Sequence, residues 1–323
     1  MFGLILLGLV APTLVGLAIY DAFDDDDSTH DEERSEQAGQ AAEAEPGSDA
    51  LADAPVPDDA DPAEIATAEG ETLLFDGSEV LTGSEGDDSL AAGQEGALAP
   101  SEIHLLGGDD EAELDLPYDI TLYGGAGNDT LTGTIGNTLD GGEGDDTLVG
   151  IDATNLYGGA GNDDITWNSD TELNDMTARI DGGAGDDRIE IRAEAGTDQP
   201  DRGGASVTGG EGSDDFEVVL ELQNSELALE ADDHLESRIA TIGDFDPAQD
   251  RLSIEIERGP GTEDRDTSVE MAQEETEAGG YVTTLTLSYA ETEEALAATS
   301  VLTIYSDTPF GLGDIEFTGL ATV

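Results

Sequence analysis

Residues 122–133 read LYGGAGNDTLTG, and nearly the same phrase returns as LDGGEGDDTLVG from 139 and as LYGGAGNDDITW from 156. Aligning the first glycine of each such phrase gives Gly83, Gly107, Gly124, Gly141, Gly158, Gly182 and Gly209, at intervals of 24, 17, 17, 17, 24 and 27 residues. The flanks test that alignment independently. Two positions before the first glycine stand Leu81, Leu105, Leu122, Leu139, Leu156, Ile180 and Val207; seven positions after it stand Leu90, Leu114, Leu131, Leu148, Ile165, Ile189 and Phe216. All are apolar. A fixed apolar frame around a polar, glycine-rich turn is how a coiling chain returns to one core at every pass, and coils that cannot bury a face alone bury it by stacking.

The turn follows G-G-x-G-x-D. Glycine permits positive φ and leaves no side chain between carbonyl oxygens and a ligand. The sixth position holds Asp88, Asp129, Asp146, Asp163, Asp187 and Asp214. Carbonyls plus one carboxylate per turn make a hard oxygen site, which suits Ca2+ better than zinc or copper, and better than Mg2+, which demands a small octahedron. The candidate metal-ligating turns comprise Gly83, Gly86 and Asp88; Gly124, Gly125, Gly127 and Asp129; Gly141, Gly142, Gly144 and Asp146; Gly158, Gly159, Gly161 and Asp163; Gly182, Gly183, Gly185 and Asp187; and Gly209, Gly210, Gly212 and Asp214. In the Gly107 phrase, Asp110 stands where the third glycine belongs and Ala112 where the aspartate belongs. In the Gly83 phrase, Ser84 replaces the second glycine.

Over residues 81–218 the chain resembles the repeat-in-toxin (RTX), or hemolysin-type, calcium-binding proteins, whose nonapeptide is G-G-x-G-x-D-x-U-x. The resemblance implies a parallel β-roll with calcium between the turns of neighbouring coils. In that family both edges usually carry calcium turns. Here the alternate turns, TGTIGNT at 132–138 and VGIDATN at 149–155, lack the motif, so one calcium column is expected, with about three to five ions at six to eight oxygens each. The longer intervals place longer loops on the degenerate edge, one of them carrying Trp167.

Composition bounds the rest. There are 78 acids, nine bases that are all Arg, no Cys, and a formal net charge of −69. That charge excludes a phosphate-backbone binder, so no nucleic acid partner is expected, and it opposes compaction unless cations neutralise it. The absence of Cys excludes disulfides and thiolate sites. Residues 1–20, MFGLILLGLVAPTLVGLAIY, carry no charged side chain; as a helix they span about 30 Å, enough for one membrane crossing. They read as a transmembrane anchor or as a cleaved signal segment ending near Gly16 and Ala18. Residues 21–70 hold eighteen acids and one Arg and read as a disordered acidic linker. The fold class expected is therefore all-β: one N-terminal hydrophobic helix, a β-roll over 71–218, and an antiparallel β-rich C-terminal domain over 219–323. FEVVLEL (216–222), RIATIGDF (238–245), RLSIEIE (251–257), YVTTLTLSYA (281–290) and SVLTIYS (300–306) are its strands.

The stretch IGDFDPAQDRLSIEI resembles the start of the β segment that follows calcium rolls in serralysin-type proteins. An EF-hand loop laid on Asp244, Asp246, Asp250 and Glu255 puts Gln249 where glycine is needed, which favours an ordinary turn. His30, His104 and His234 are dispersed; there is no H-E-x-x-H, no G-x-S-x-G and no Lys. The expectation is a non-enzymatic calcium-binding protein of the cell envelope or the secreted fraction, ordered by Ca2+ outside the cytoplasm, with calcium ions and, through residues 1–20, the membrane as partners. The alternative is a secreted enzyme or effector with its active site in 219–323 and the roll as an export or stability module. The resemblance also implies a type I export route, with which the tail IEFTGLATV is compatible.

Overall fold

The computed structural model describes residues 69–91, 99–115, 119–152, 154–169, 178–195, 204–223, 235–263, 265–292 and 297–320. The expected helix at 1–20, nearly all of the linker, His30 and His234 lie outside the described residues.

Each pass of the chain lays down two short strands. The passes give β1 (Thr72–Leu74), β2 (Val80–Thr82), β3 (Ser89–Ala91), β4 (Glu102–Gly107), β5 (Glu111–Leu114), β6 (Thr121–Ala126), β7 (Thr130–Gly133), β8 (Thr138–Glu143), β9 (Thr147–Ile151), β10 (Asn155–Ala160), β11 (Asp164–Ser169), β12 (Arg179–Ala184), β13 (Arg188–Ala195), β14 (Ala205–Glu211) and β15 (Asp215–Leu222). Odd strands stack into one sheet and even strands into a second, every neighbouring pair parallel. The register is the one the apolar frame dictates. Leu122, Leu139, Leu156, Ile180 and Val207 line up across the even sheet, and Leu131, Leu148, Ile165, Ile189 and Phe216 across the odd sheet. All ten are sealed from solvent in one core. A side chain of this size contributes about 1.5–3 kcal/mol on full burial, so each coil's two frame residues hold it to its neighbours. No helix among the described residues is long and apolar enough to cross a membrane.

Three expectations need correction. The first concerns the Gly107 phrase. His104 pairs with Tyr123 and Leu106 with Gly125, so Leu105, not Gly107, occupies the first-glycine place. Matching glycine to glycine had put this coil two residues out of step. The frame positions are Ile103 and Ala112 rather than Leu105 and Leu114, although all four are buried. The second concerns Trp167. It lies in β11 rather than in a loop, faces the core opposite Gly150 and Ile191, and donates its indole N–H to the Asp152 carbonyl at 2.6 Å.

The third concerns the C-terminal third. Residue 218 falls inside β15, and the two sheets continue past it. β16 (Leu235–Ile242) joins β14 in parallel, and β17 (Arg251–Arg258) joins β15 in parallel over eight residue pairs. Only β18 (Thr267–Glu275), β19 (Tyr281–Tyr289) and β20 (Ala298–Ser306) form an antiparallel meander. β20 returns alongside β16 in parallel, and β21 (Ile315–Thr318) closes on β17 in parallel. Val218, Leu220 and Leu222 of β15 belong to the same core as Ile254, Ile256 and Leu302, so one core runs through both parts. On the outer face of the odd sheet, Arg188 bridges Asp164, Glu190 and Glu217, and Arg192 bridges Glu190, Glu221 and Glu257. Two of the scarce cations thereby tie together strands that are otherwise crowded with acids.

Candidate metal edge

The glycine phrases form the turns that lead from each even strand to the next odd strand, all on one edge of the roll. There, Gly125 and Gly127 show why glycine is needed. Their φ values are 117° and 131°, and a Cβ on either would overlap the carbonyl oxygen of the turn before it, at Leu106 and Gly108 respectively. Gly142, Gly159, Gly183 and Gly210 repeat the first arrangement; Gly144, Gly161, Gly185 and Gly212 repeat the second. The first glycines are constrained differently. A Cβ on Gly83, Gly124, Gly141, Gly158, Gly182 or Gly209 would overlap Oδ2 of the aspartate five residues on. The carboxylate leans directly on the glycine Cα. Beside Gly124 it shares that space with the carbonyl oxygen of Gly141, which lies 2.6 Å from the point a Cβ would occupy.

The aspartates form a ladder. The backbone N–H of Asp88 donates to Oδ1 of Asp110 (2.6 Å), Asp110 to Asp129 (2.9 Å), Asp129 to Asp146 (2.7 Å), Asp146 to Asp163 (2.8 Å), Asp163 to Asp187 (2.8 Å), Asp187 to Asp214 (3.0 Å) and Asp214 to Asp250 (3.1 Å). Each rung uses one carboxylate oxygen. The other, Oδ2, is buried and without a hydrogen-bond partner at Asp110, Asp129, Asp146, Asp163 and Asp187. Burial is the chief cause that raises these acids, helped by neighbouring carboxylates and opposed by the donated N–H: Asp129 and Asp163 to about 7, and Asp110, Asp146, Asp187 and Asp214 to about 6. Adjacent strands lie about 4.8 Å apart, and like charges at that spacing repel by about 3 kcal/mol at an effective dielectric of 20. A column of bare, buried carboxylate oxygens facing carbonyl oxygens therefore needs a proton or a cation at each step. Among the described residues no group of three or more His, Cys, Asp or Glu side chains is placed to hold a metal. A cation on this edge draws most of its ligands from carbonyls, as a hard ion does.

Sequence reasoning missed parts of this edge. Asp110 is a full member of the ladder, hidden by the two-residue misalignment. A second, solvent-facing ladder runs in the opposite sense through the residues just before the aspartates. Asp109 N–H donates to Asp87, Asn128 to Asp109, Asp145 to Asn128, Asn162 to Asp145, Asp186 to Asn162 and Ser213 to Asp186. Placing Asn128 and Asn162 between acids separates like charges in that row.

The ends are closed by protein groups. At Asp88, the Ser84 N–H donates to Oδ2 (2.6 Å) and the Ser84 hydroxyl to Oδ1 (2.8 Å), and the hydroxyl also takes the Gly86 N–H at 3.2 Å. At the other end, Asp250 accepts Asp214 and Asp246 N–H, while Asp244 accepts Gly209 and Gly210 N–H at 3.0 Å each. Residues 243–250 are thus the turn from β16 to β17, and Glu255 lies in β17. His104 is a buried residue of β4, stacked on Tyr123 with ring centroids 4.7 Å apart.

The family model for the RTX calcium-binding nonapeptide repeat matches four segments: residues 75–94, 123–150, 155–166 and 179–190. The chain carries the RTX calcium-binding repeat. The match agrees with the geometry where the two overlap, since these segments contain the Gly83, Gly124, Gly141, Gly158 and Gly182 turns. It omits the turn that ends at Asp110, the Gly209 turn and everything after it, so the likeness of 242–256 to serralysin-type proteins gains no support from the RTX match. No curated protein matches the chain.

Proposed function

We propose that the protein is a non-enzymatic, calcium-ordered β-roll that works outside the cytoplasm. Calcium would bind along the aspartate ladder, at the Gly124, Gly141, Gly158, Gly182 and Gly209 turns, with about three to five ions in the column. The observation that carries this reading is the run of buried Oδ2 atoms without hydrogen-bond partners at Asp129, Asp146, Asp163 and Asp187, beside main-chain carbonyls. Each ion cancels two charges and ties two coils, so binding is folding free energy. Extracellular calcium modules commonly bind at about 10⁻⁴ to 10⁻³ M, far above resting cytoplasmic calcium. Residues 1–20, which carry no charge, support export or anchoring with the roll outside.

Stripped of metal at pH 8, the full chain should show weak strand circular dichroism and gain it cooperatively with millimolar Ca2+ but not with equal Mg2+. Equal strand content and melting in chelator and in calcium would refute the proposal.

One feature favours the alternative of an active site in the C-terminal part. An open cleft of about 360 Å³ is lined by Asp244, Asp246, Asp307, Tyr281 and Tyr305. Asp244 is held there by the Gly209 and Gly210 N–H groups, and Asp246 by Ala248 N–H and the Gln249 amide. Two of its three carboxylates are thus committed to turn structure, and the binding-protein reading is the stronger.

A further inference from the structure

The turn Leu105–Asp110 lies outside the matched RTX segments and lacks both leading glycines, yet its backbone repeats the metal-edge geometry. Leu106 occupies the second-glycine place at φ 81°, a conformation that side-chain-bearing residues rarely adopt. Its carbonyl abuts Gly125 as the Gly125 carbonyl abuts Gly142. Gly108, at φ 117°, fills the third-glycine place, and its carbonyl abuts Gly127. Asp110 is 2% exposed, makes both ladder bonds, and has an Oδ2 that is buried with no partner. Strain retained at a non-glycine residue signals a constraint beyond packing. A carbonyl ligand is supplied by any residue whose backbone is held correctly, so Leu106 serves as well as glycine.

We infer that the cation column extends one turn past the unbroken run of motif turns, with Asp110 Oδ2 as a ligand, and that it stops there because the Ser84 N–H occupies Oδ2 of Asp88, whose Oδ1 takes the Glu71 N–H and the Ser84 hydroxyl. This rests on the calcium-binding reading of the ladder. Leu105 carries a Cβ where the other turns have none and crowds the space into which the carboxylate leans. The Asp110 site is therefore the weakest of the column and fills last.

The test is calcium stoichiometry on the full chain, by native mass spectrometry and calorimetry after chelator treatment. Asp110→Asn keeps the Oδ1 acceptor for Asp88 N–H and removes the charge. It should bind one ion fewer, with the remaining steps changed by less than about twofold. Leu105→Gly should keep the ion count and tighten the weakest step by about tenfold, roughly 1.4 kcal/mol. Asp146→Asn is the control within the motif. Full occupancy in Asp110→Asn together with a loss in Asp146→Asn overturns the extension alone. Full occupancy in both, or no calcium bound by the wild type, overturns the calcium reading itself. Should Asp110→Asn fail to fold, an unchanged weakest step in Leu105→Gly overturns the extension.

Discussion

Replacing Gly141 by alanine puts a single methyl group at the most sensitive point of the edge. The new Cβ would overlap Asp146 Oδ2 and lie 2.6 Å from the Gly158 carbonyl oxygen, so the carboxylate must move. Moving it strains the 2.7 Å bond from Asp129 N–H, although the Leu105 turn carries a Cβ at the same place and keeps the equivalent Asp88 N–H bond to Asp110 at 2.6 Å. Full loss of that bond, the upper limit, would orphan a buried donor at about 1–3 kcal/mol, and the displaced carboxylate is also a worse ligand when calcium is present. A loss of about 1–3 kcal/mol corresponds to a calcium affinity at that turn lower by roughly 5- to 150-fold. Gly150→Ala is the matched control on the opposite edge. There the nearest atoms to a Cβ are Leu156 Cδ at 3.0 Å, which can yield by rotation, and Thr154 Cβ at 3.1 Å; its cost should be that of overpacking, about 1–3 kcal/mol, with calcium affinity unchanged. Calorimetric titration and melting at saturating calcium would separate the two. If Gly141→Ala binds calcium like the wild type, or Gly150→Ala weakens binding equally, the assignment of the ladder edge as the metal edge is wrong.

Two further outcomes are expected. In chelator, the ladder acids have folded pKa values raised from 3.8 to about 6 or 7, so the stability they confer is complete below about pH 4 and disappears as pH rises through 6 and 7. The metal-free melting temperature should therefore increase on acidification from pH 8 to 5, while calcium affinity falls over the same window because the ligands must deprotonate; a metal-free melting temperature that increases with pH contradicts this. Trp167, the single tryptophan, should fluoresce to the blue in calcium and shift red in chelator as the roll loosens, and Trp167→Ala should cost about 3–5 kcal/mol in a calcium-saturated melt. An emission maximum indifferent to calcium would show that its coil is ordered without the metal.

How much of this was legible in advance depended on whether the pattern was local. The 17-residue interval, the apolar frame and the three glycines are properties of consecutive residues, and their stacking follows because identical coils bury one another's frames only in register. The strands after residue 218 were equally legible from alternation, except β18, an edge strand whose Glu270, Gln273, Glu274 and Glu275 conceal the partly buried Val269 and Met271, and β21, whose four residues are too few to show a pattern. The Gly107 coil misled because glycine identity was used as the alignment key. What stacking conserves there is a backbone conformation, and Leu106 holds it without glycine.

The chain by itself determined a repeating all-β coil with a glycine- and aspartate-lined edge, because periodic burial and permitted φ are written residue by residue. Only the tertiary structure decided that Asp110 and Asp250 join the ladder, that Ser84 and Asp244 close its ends, that Trp167 is core, and that the last strands extend the roll's own sheets. Each of these depends on which residues from different coils meet across a strand pair. The insertions between coils vary in length, so distance along the chain carries no record of those meetings.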